Sequence, residues 1–306
     1  MRVVVIAEQG ASPALIEVPT PQPAAGEVLV RVRASSLNGF DTAVAAGYLA
    51  GMMEHRFPVV LGKDFAGEVV EVGEGVTRFA SGDRVFGVVT KAFLGDGGFG
   101  EYVTVPEQIG ITALPDGVDV AVAGALGLAG TAAVDAIDAV APQPGETVLI
   151  SGATGGVGAI AIQYAAAAGA KVIATARPGA EADFVRGLGA SDVVDHTGDL
   201  SAQVRAIAPD GVDVVLHLAG DGGVLAGLLT EKGRLASTLG LGPDQHPAAT
   251  AVMATPTTDT LDRLAADAAA GRINVPVSRT YALAEAPAAF GDFASGTVGK
   301  IGITIA

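Results

Sequence analysis

The chain has 306 residues, 50% of them hydrophobic and 17% charged, with a formal net charge of −15; that length suits two domains, each with its own core. So acidic a surface repels phosphate backbones and excludes nucleic acid as a partner. The complete absence of cysteine excludes disulfides, thiolate nucleophiles and every cysteine-ligated zinc site.

The amino-terminal run Met1-Arg-Val-Val-Val-Ile-Ala-Glu8 is short and ends in an acid, so it reads as a first strand rather than a secretory leader. Val and Ile cluster or alternate over 2–8, 15–18, 27–34, 67–72, 84–89 and 101–105. Turn signals such as Pro19-Thr-Pro-Gln-Pro23, Gly73-Glu-Gly75 and Ser81-Gly-Asp83 separate these runs. Strands here do not alternate with helices, and a barrel-like or strongly bent antiparallel domain fits best.

The pattern changes near Val118. A long apolar helix is expected over 118–140. Strands at 147–151, 171–175, 192–195, 212–218 and 233–239 then alternate with helices ending at 168 and covering 180–188, 200–207 and 222–230. Regular alternation of this kind implies an α/β domain with a doubly wound parallel sheet. The apolar 118–140 stretch carries Asp119, Asp135 and Asp138, and alanine-rich 159–170 is too short to cross a bilayer. No membrane association and a cytoplasmic location are therefore expected. The last segment, 273–306, returns to β-like runs around a helix at 284–293. The expected division is a catalytic domain of 1–117 with 273–306, and a nucleotide domain of 118–272.

The segment Val148-Leu-Ile-Ser-Gly152-Ala-Thr-Gly155-Gly156-Val157-Gly158 reads as a buried strand, a glycine turn and a helix start. Glycines permit a sharp turn and close approach of backbone to phosphate. A helix amino terminus adds unpaired N–H groups and the positive end of a dipole. Gly152, Thr154, Gly155, Gly156, Val157 and Gly158 are thus candidates for a dinucleotide pyrophosphate. After the second strand the chain reads Ala174-Thr175-Ala176-Arg177-Pro178-Gly179, with no acid before Glu181. A hydroxyl (Thr175) and a guanidinium (Arg177) suit a 2′-phosphate better than a bare ribose, which points to NADPH; the plainer role for Arg177 is a solvated loop residue. His196, after the third strand, either lies against that phosphate or is a surface histidine. Strand ends at Leu218, Ala219 and Gly220, and at Leu239 and Gly240, are expected to contact the nicotinamide through their backbone.

Several further motifs accompany this loop. They are Ser35-Ser-Leu-Asn38-Gly-Phe-Asp41, Gly62-Lys-Asp-Phe-Ala-Gly67, Gly82-Asp-Arg-Val-Phe86, Gly98-Phe-Gly-Glu-Tyr102, Gly130-Thr-Ala-Ala133, Gly233-Arg-Leu-Ala-Ser-Thr-Leu-Gly240 and Gly299-Lys-Ile301. With them the chain resembles the zinc-independent medium-chain dehydrogenases/reductases, in particular quinone oxidoreductases of the zeta-crystallin type. The resemblance implies a β-rich GroES-like barrel domain joined to a Rossmann domain. It also implies hydride transfer to a quinone or another conjugated carbonyl, and a homodimer. Related zinc enzymes carry Gly-His-Glu where this chain has Gly62-Lys63-Asp64; lysine is a poor zinc ligand, so no metal is expected. Through the resemblance Asn38 is a candidate hydrogen-bond partner of the acceptor oxygen or the cofactor ribose, although Gly39 stands where the family has proline. Tyr48 is a candidate donor to the developing oxyanion, or a residue packed on a helix edge. Lys63 is a candidate for stabilising negative charge, or a salt-bridge residue. Thr131 is a candidate contact on the nicotinamide side, or a helix cap. The alternatives to quinone reduction are a 2-enoyl thioester reductase and a non-catalytic NADPH-binding redox sensor.

Overall fold

A computed structural model describes residues 1–306, and the chain divides into two compact units. The first opens with strands β1 (Arg2–Ile6), β2 (Ala14–Glu17) and β3 (Glu27–Leu37), then helix α1 (Gly39–Ala45). Strands β4 (Glu54–His55), β5 (Val59–Val60), β6 (Asp64–Val72), β7 (Arg84–Val88), β8 (Phe93–Leu94), β9 (Tyr102–Pro106) and β10 (Ile111–Ala113) follow, with a short helix α2 (Val120–Ala123). The eleven residues of β3 explain much of this half. Along one edge β3 pairs with β6, and its other edge is shared between β9 at its start and the carboxy-terminal strand at its end. Register shifts at Leu29/Val30 and Val32/Ala34 bend it, as bulges do in barrels.

The single helix expected over 118–140 is two helices, α2 and α3 (Gly127–Val140). The break has a physical cause: the N–H of Leu128, in the first turn of α3, donates to the buried carboxylate of Asp64 on β6 at 2.7 Å. First-turn N–H groups have no partner inside their own helix, and a carboxylate favours the positive end of the helix dipole.

The second unit continues with β11 (Thr147–Ser151), α4 (Gly156–Ala167), β12 (Lys171–Thr175), α5 (Ala180–Gly187), β13 (Asp192–Val194) and α6 (Leu200–Ile207). Next come β14 (Val212–His217), α7 (Gly222–Ala226), β15 (Leu229–Ser237) and β16 (Ala249–Ala251). The six strands run parallel in the order β13-β12-β11-β14-β15-β16. β11, β12 and β14 are largely apolar because helices cover both faces of a doubly wound sheet; Val148, Leu149, Ile150, Val214, Val215 and Leu216 are fully buried. Helix α7 is shorter than expected, and β15 begins at Leu229 rather than 233.

The chain then returns to the first unit through α8 (Thr258–Ala269), β17 (Val277–Ala282), α9 (Ala286–Ala294) and β18 (Lys300–Thr304). The main sheet here runs β10-β7-β6-β3-β18-β17, with β9 also on β3; β2-β1-β5 form a smaller sheet. Helix α8 was not anticipated. Thr257 caps it by accepting from the N–H of Thr260, and Leu261, Leu264 and Ala265 bury its inner face. Thr112 of β10 donates to the Asp262 carboxylate, fixing α8 to the barrel. The division observed is 1–128, 256–271 and 275–306 against 129–255 and 272–274. It therefore differs from the expected one at 118–128 and over α8, which pack with the barrel, and at 273–274, which fall in the second unit. No helix is long and apolar enough to cross a membrane.

Candidate active site

In the second unit the chain moves outward from β11 to β12 and β13, then crosses back to β14. The direction of winding reverses between β11 and β14, the place where doubly wound sheets bind ligands beyond the carboxyl ends of their strands. The glycine turn stands there. Gly152 has φ +79°, a conformation costly for any residue with a Cβ. A Cβ on Gly158 would lie 2.3 Å from the carbonyl oxygen of Gly152 and 2.6 Å from Cα of Ala153, so only glycine lets the turn close on α4. Gly155, Gly156 and Val157 form the start of α4, and Gly155, its cap residue, has no side chain to take up the first N–H groups. Those donors are available to an anion. Thr154 is half-buried in the same turn.

The neighbouring strand ends are braced. Ser151 Oγ donates to the carbonyl of Ala219 at 2.6 Å, and the Leu218 N–H donates to the carbonyl of Ser151 at 3.2 Å. Gly220 and Gly240, each at φ +84°, and Leu239 are exposed at the same edge. Thr175 is buried, and its hydroxyl accepts from the Gly152 N–H at 3.0 Å and donates to the carbonyl of Ile150 at 3.3 Å. It ties β12 to the turn. Thr131 is fully buried in α3.

Arg177 differs from the sequence picture. Its guanidinium is held by Glu181, with Nε 2.8 Å from Oε1, and its own backbone N–H donates to the other carboxylate oxygen at 2.8 Å. An acid therefore reaches this corner after all, from the first turn of α5, one helical step beyond the window where an acid was sought. The pairing holds the Glu181 carboxyl below the usual carboxylate range, mainly through the hydrogen bond from Arg177. His196 is exposed, and its charge acts on both Glu181 and Asp195.

In the first unit the expected residues meet others that the sequence reading passed over. Asp64 is fully buried, and its carboxylate accepts from Ser36 Oγ at 2.5 Å, Asn38 Nδ2 at 2.8 Å and the Leu128 N–H. Lys300 on β18 is 4% exposed; its Nζ donates to Asn38 Oδ1 at 2.5 Å and stands 3.5 Å from Asp64 Oδ2. Asn38 spends its second amide hydrogen on the carbonyl of Ser36 at 3.2 Å. Asn38 thus has no amide hydrogen left for an acceptor oxygen and acts as a brace. Asp41 caps α1 by accepting from the Asn38 N–H at 2.8 Å. Burial pushes its carboxyl up to about 7; the charge of Asp64 adds to this, while the Asn38 hydrogen bond and the charges of Lys300 and Lys63 oppose it. Burial likewise pulls the ammonium of Lys300 down, against Asp64 and Asp41. Lys63 donates to the carbonyl of Val89 and lies 5.1 Å from the Phe40 ring centroid; burial lowers its pKa. Tyr48 lies apart from this cluster, 77% exposed after α1. Asp41, Asp64 and Lys300 all sit in the quoted motifs, so their presence was readable but their partnership was not.

This donor set does not fit a catalytic zinc. No three His, Cys, Asp or Glu side chains are placed so that they could hold a metal ion together. The one fully buried carboxylate of the cluster, Asp64, already has three hydrogen-bond donors and an ammonium around it. The glycine turn, by contrast, fits a dinucleotide: its conformation admits no Cβ at Gly152 or Gly158, and the start of α4 is uncapped.

Comparison with known proteins finds two domain families in the chain. Residues 24–116 match the alcohol dehydrogenase GroES-like domain, and 156–256 match the zinc-binding dehydrogenase domain. A chloroplast envelope quinone oxidoreductase homolog from Arabidopsis thaliana is 36% identical over 211 residues, 67% of this chain and 63% of that protein. The chain thus spans less than two thirds of the length of this curated relative. A phthioceranic/hydroxyphthioceranic acid synthase from Mycobacterium bovis is 38% identical over 209 residues, 67% of this chain but 10% of the synthase. Among solved structures, a quinone oxidoreductase from Coxiella burnetii superposes with a TM-score of 0.90 at 27% identity, covering 100% of this chain and 99% of that one. A mycobacterial Rv1454c complexed with NADPH gives a TM-score of 0.85 at 28% identity, covering 99% and 100%.

Proposed function

The chain belongs to the medium-chain dehydrogenase/reductase family, and we propose that it acts there as an NADPH-dependent reductase of quinones or other conjugated carbonyls, without zinc. The observation that carries this reading is the uncapped glycine turn between β11 and α4, at the point where the winding of the parallel sheet reverses. Gly152, Gly155, Gly156 and Gly158 would hold the pyrophosphate, and the strand ends at Leu218–Gly220 and Leu239–Gly240 the nicotinamide. A nicotinamide bound there supplies hydride to an electron-poor acceptor. Without a metal to polarise a simple ketone, an acceptor that delocalises charge by conjugation is the better match. In the first unit Tyr48 keeps its hydroxyl unengaged and is our candidate for hydrogen bonding to the acceptor oxygen.

The phosphate preference rests on Arg177, whose side chain is 61% exposed. A 2′-phosphate there competes with Glu181 for the guanidinium. The reading also includes a homodimer paired along β16, the edge strand, where Thr250 and Ala251 are exposed; sedimentation of the free chain tests it.

One observation favours a second reading. The segment shared with the acid synthase is at 38% the highest identity among these relatives, which supports reduction of a 2-enoyl thioester. Steady-state assays with 1,4-benzoquinone, 9,10-phenanthrenequinone, 2-alkenals and crotonyl-CoA, with and without chelator, decide between them. Quinone turnover unaffected by chelator is expected. Activity confined to crotonyl-CoA favours the second reading; activity lost to chelator and restored by zinc refutes the first. Tight NADPH binding with no acceptor turned over marks a non-catalytic sensor.

A further inference from the structure

We infer that His217 is a positioning residue that sets both strand-end loops facing the nicotinamide, an inference that rests on the cofactor reading above. His217 ends β14, is 5% exposed, and pairs in register with Ser151 on β11 and Ser237 on β15. The hydrogen bonds around it admit one proton arrangement. Nε2 lies 3.1 Å from the carbonyl oxygen of Gly220. A carbonyl only accepts, so Nε2 carries the proton. Ser237 Oγ accepts from the N–H groups of Leu239 at 3.1 Å and Leu241 at 3.3 Å, which occupies both of its lone pairs. Its remaining proton therefore goes to Nδ1, 3.0 Å away, which must be the lone-pair nitrogen.

One neutral imidazole therefore joins two loops. Through Nε2 it fixes the Gly220 carbonyl, and through Ser237 it fixes the backbone of 239–241. Every polar atom of the relay has its partner, and buried networks of this kind hold a single arrangement only while complete. Beside the relay the Ala219 N–H and the carbonyls of Leu218 and Thr238 make no hydrogen bond within the chain. A carboxamide offers one acceptor oxygen and two donor hydrogens, which is what such an edge of free donor and acceptor groups can pair with. Phenylalanine in place of His217 keeps the ring but leaves Gly220 without its donor. Alanine in place of Ser237 leaves the imidazole but releases 239–241.

The test titrates wild type, His217→Phe and Ser237→Ala by calorimetry against two matched pairs: NADPH with 2′-phospho-ADP-ribose, and NADH with ADP-ribose. The second member of each pair lacks the nicotinamide. Loss of the relay should weaken the intact coenzyme about tenfold in both variants, the scale of one hydrogen-bond arrangement lost from a site, and leave the truncated ligand unchanged. Long-range 15N–1H correlation of the wild type should show the Nε2-protonated ring. Unchanged coenzyme affinity in either variant, equal weakening of coenzyme and truncated ligand, or an Nδ1-protonated ring each overturns the inference. A wild type that binds neither coenzyme overturns the cofactor reading itself. Normal coenzyme binding that ignores the two substitutions overturns only the role of His217.

Discussion

Replacing Asp41 by Asn should remove a loss of stability that the first unit suffers as the pH rises from 4 to 8. Asp41 is 2% exposed, and its carboxyl is pushed from 3.8 up to about 7, first by burial and then by the charge of Asp64. Between those two values the folded chain keeps a proton that the unfolded chain has released. Stability from this group is complete below pH 3.8 and is lost as the pH rises through about 7. At about 1.4 kcal/mol per pH unit the full loss is roughly 4 kcal/mol. Asparagine cannot ionise, yet its amide oxygen can still accept from the Asn38 N–H that Asp41 now receives. At pH 4 the folded wild type presents a protonated and equally neutral acceptor, so Asp41→Asn should match wild type there to within about 1 kcal/mol. At pH 8 it should be more stable by roughly 4 kcal/mol, the ionisation cost that asparagine avoids. Urea unfolding followed by circular dichroism at intervals from pH 4 to 8 measures this. Carboxylates with lowered pKa values, such as Glu101 and Glu146, act in the opposite sense and equally in both proteins, so the difference between the two curves isolates Asp41. Parallel curves across this range would refute the assignment of a retained proton to Asp41.

Gly158→Ala forces its Cβ against the Gly152 carbonyl at 2.3 Å; coenzyme affinity measured by calorimetry should drop by at least about tenfold, and the melting temperature should fall. Lys300→Met leaves the buried Asp64 carboxylate without its cation and should destabilise the chain by about 3–5 kcal/mol in urea, whereas pairing it with Asp64→Asn should recover a large part. Full wild-type stability of Lys300→Met alone would mean that the ammonium does not offset the buried charge. Arg177→Ala should raise the Michaelis constant for NADPH far more than for NADH, and Glu181→Gln should favour NADPH further by freeing the guanidinium. Equal changes for the two coenzymes would remove the 2′-phosphate assignment.

The parallel sheet was the most legible part of the chain. Its strands at Thr147–Ser151 and Lys171–Thr175 and helix Leu200–Ile207 fall where the hydrophobic runs and turn residues put them. The barrel strands were legible in their apolar parts and truncated at their polar ends. β3 was expected to stop at 34 but runs to Leu37, and β6 was expected from 67 but starts at Asp64. The added residues include Ser35, Ser36 and Asp64, which local propensity assigns to turns. They stay in the sheet because they satisfy one another: Ser35 Oγ donates to the Asp64 carbonyl at 2.6 Å and Ser36 Oγ to its carboxylate at 2.5 Å. Such bonds join residues nearly thirty positions apart, and no window along the sequence contains both. Helix α8 was a different kind of omission. Thr257 followed by Leu261, Leu264 and Ala265 carries both a cap and a helical period, and the pattern was there to be read.

The same distinction separates the two halves of the candidate site. A glycine turn is specified by backbone geometry: φ at Gly152 and the contact at Gly158 exclude every other residue type, so the requirement is written in the local sequence. A side-chain network leaves no such mark, because each member is chosen by partners that the fold supplies. Lys300 and Asn38 are 262 residues apart and share a hydrogen bond; Arg177 looked free until α5 turned Glu181 back onto it; His217 meets Ser237 only because β14 and β15 pair in that register. Where a function depends on backbone shape the sequence announces it, and where it depends on which polar groups satisfy each other the proton arrangement must be worked out atom by atom. In this chain those bonds make braces of two expected ligands, Asn38 and Thr175, and they give a place in the network to a histidine that stands alone in the sequence.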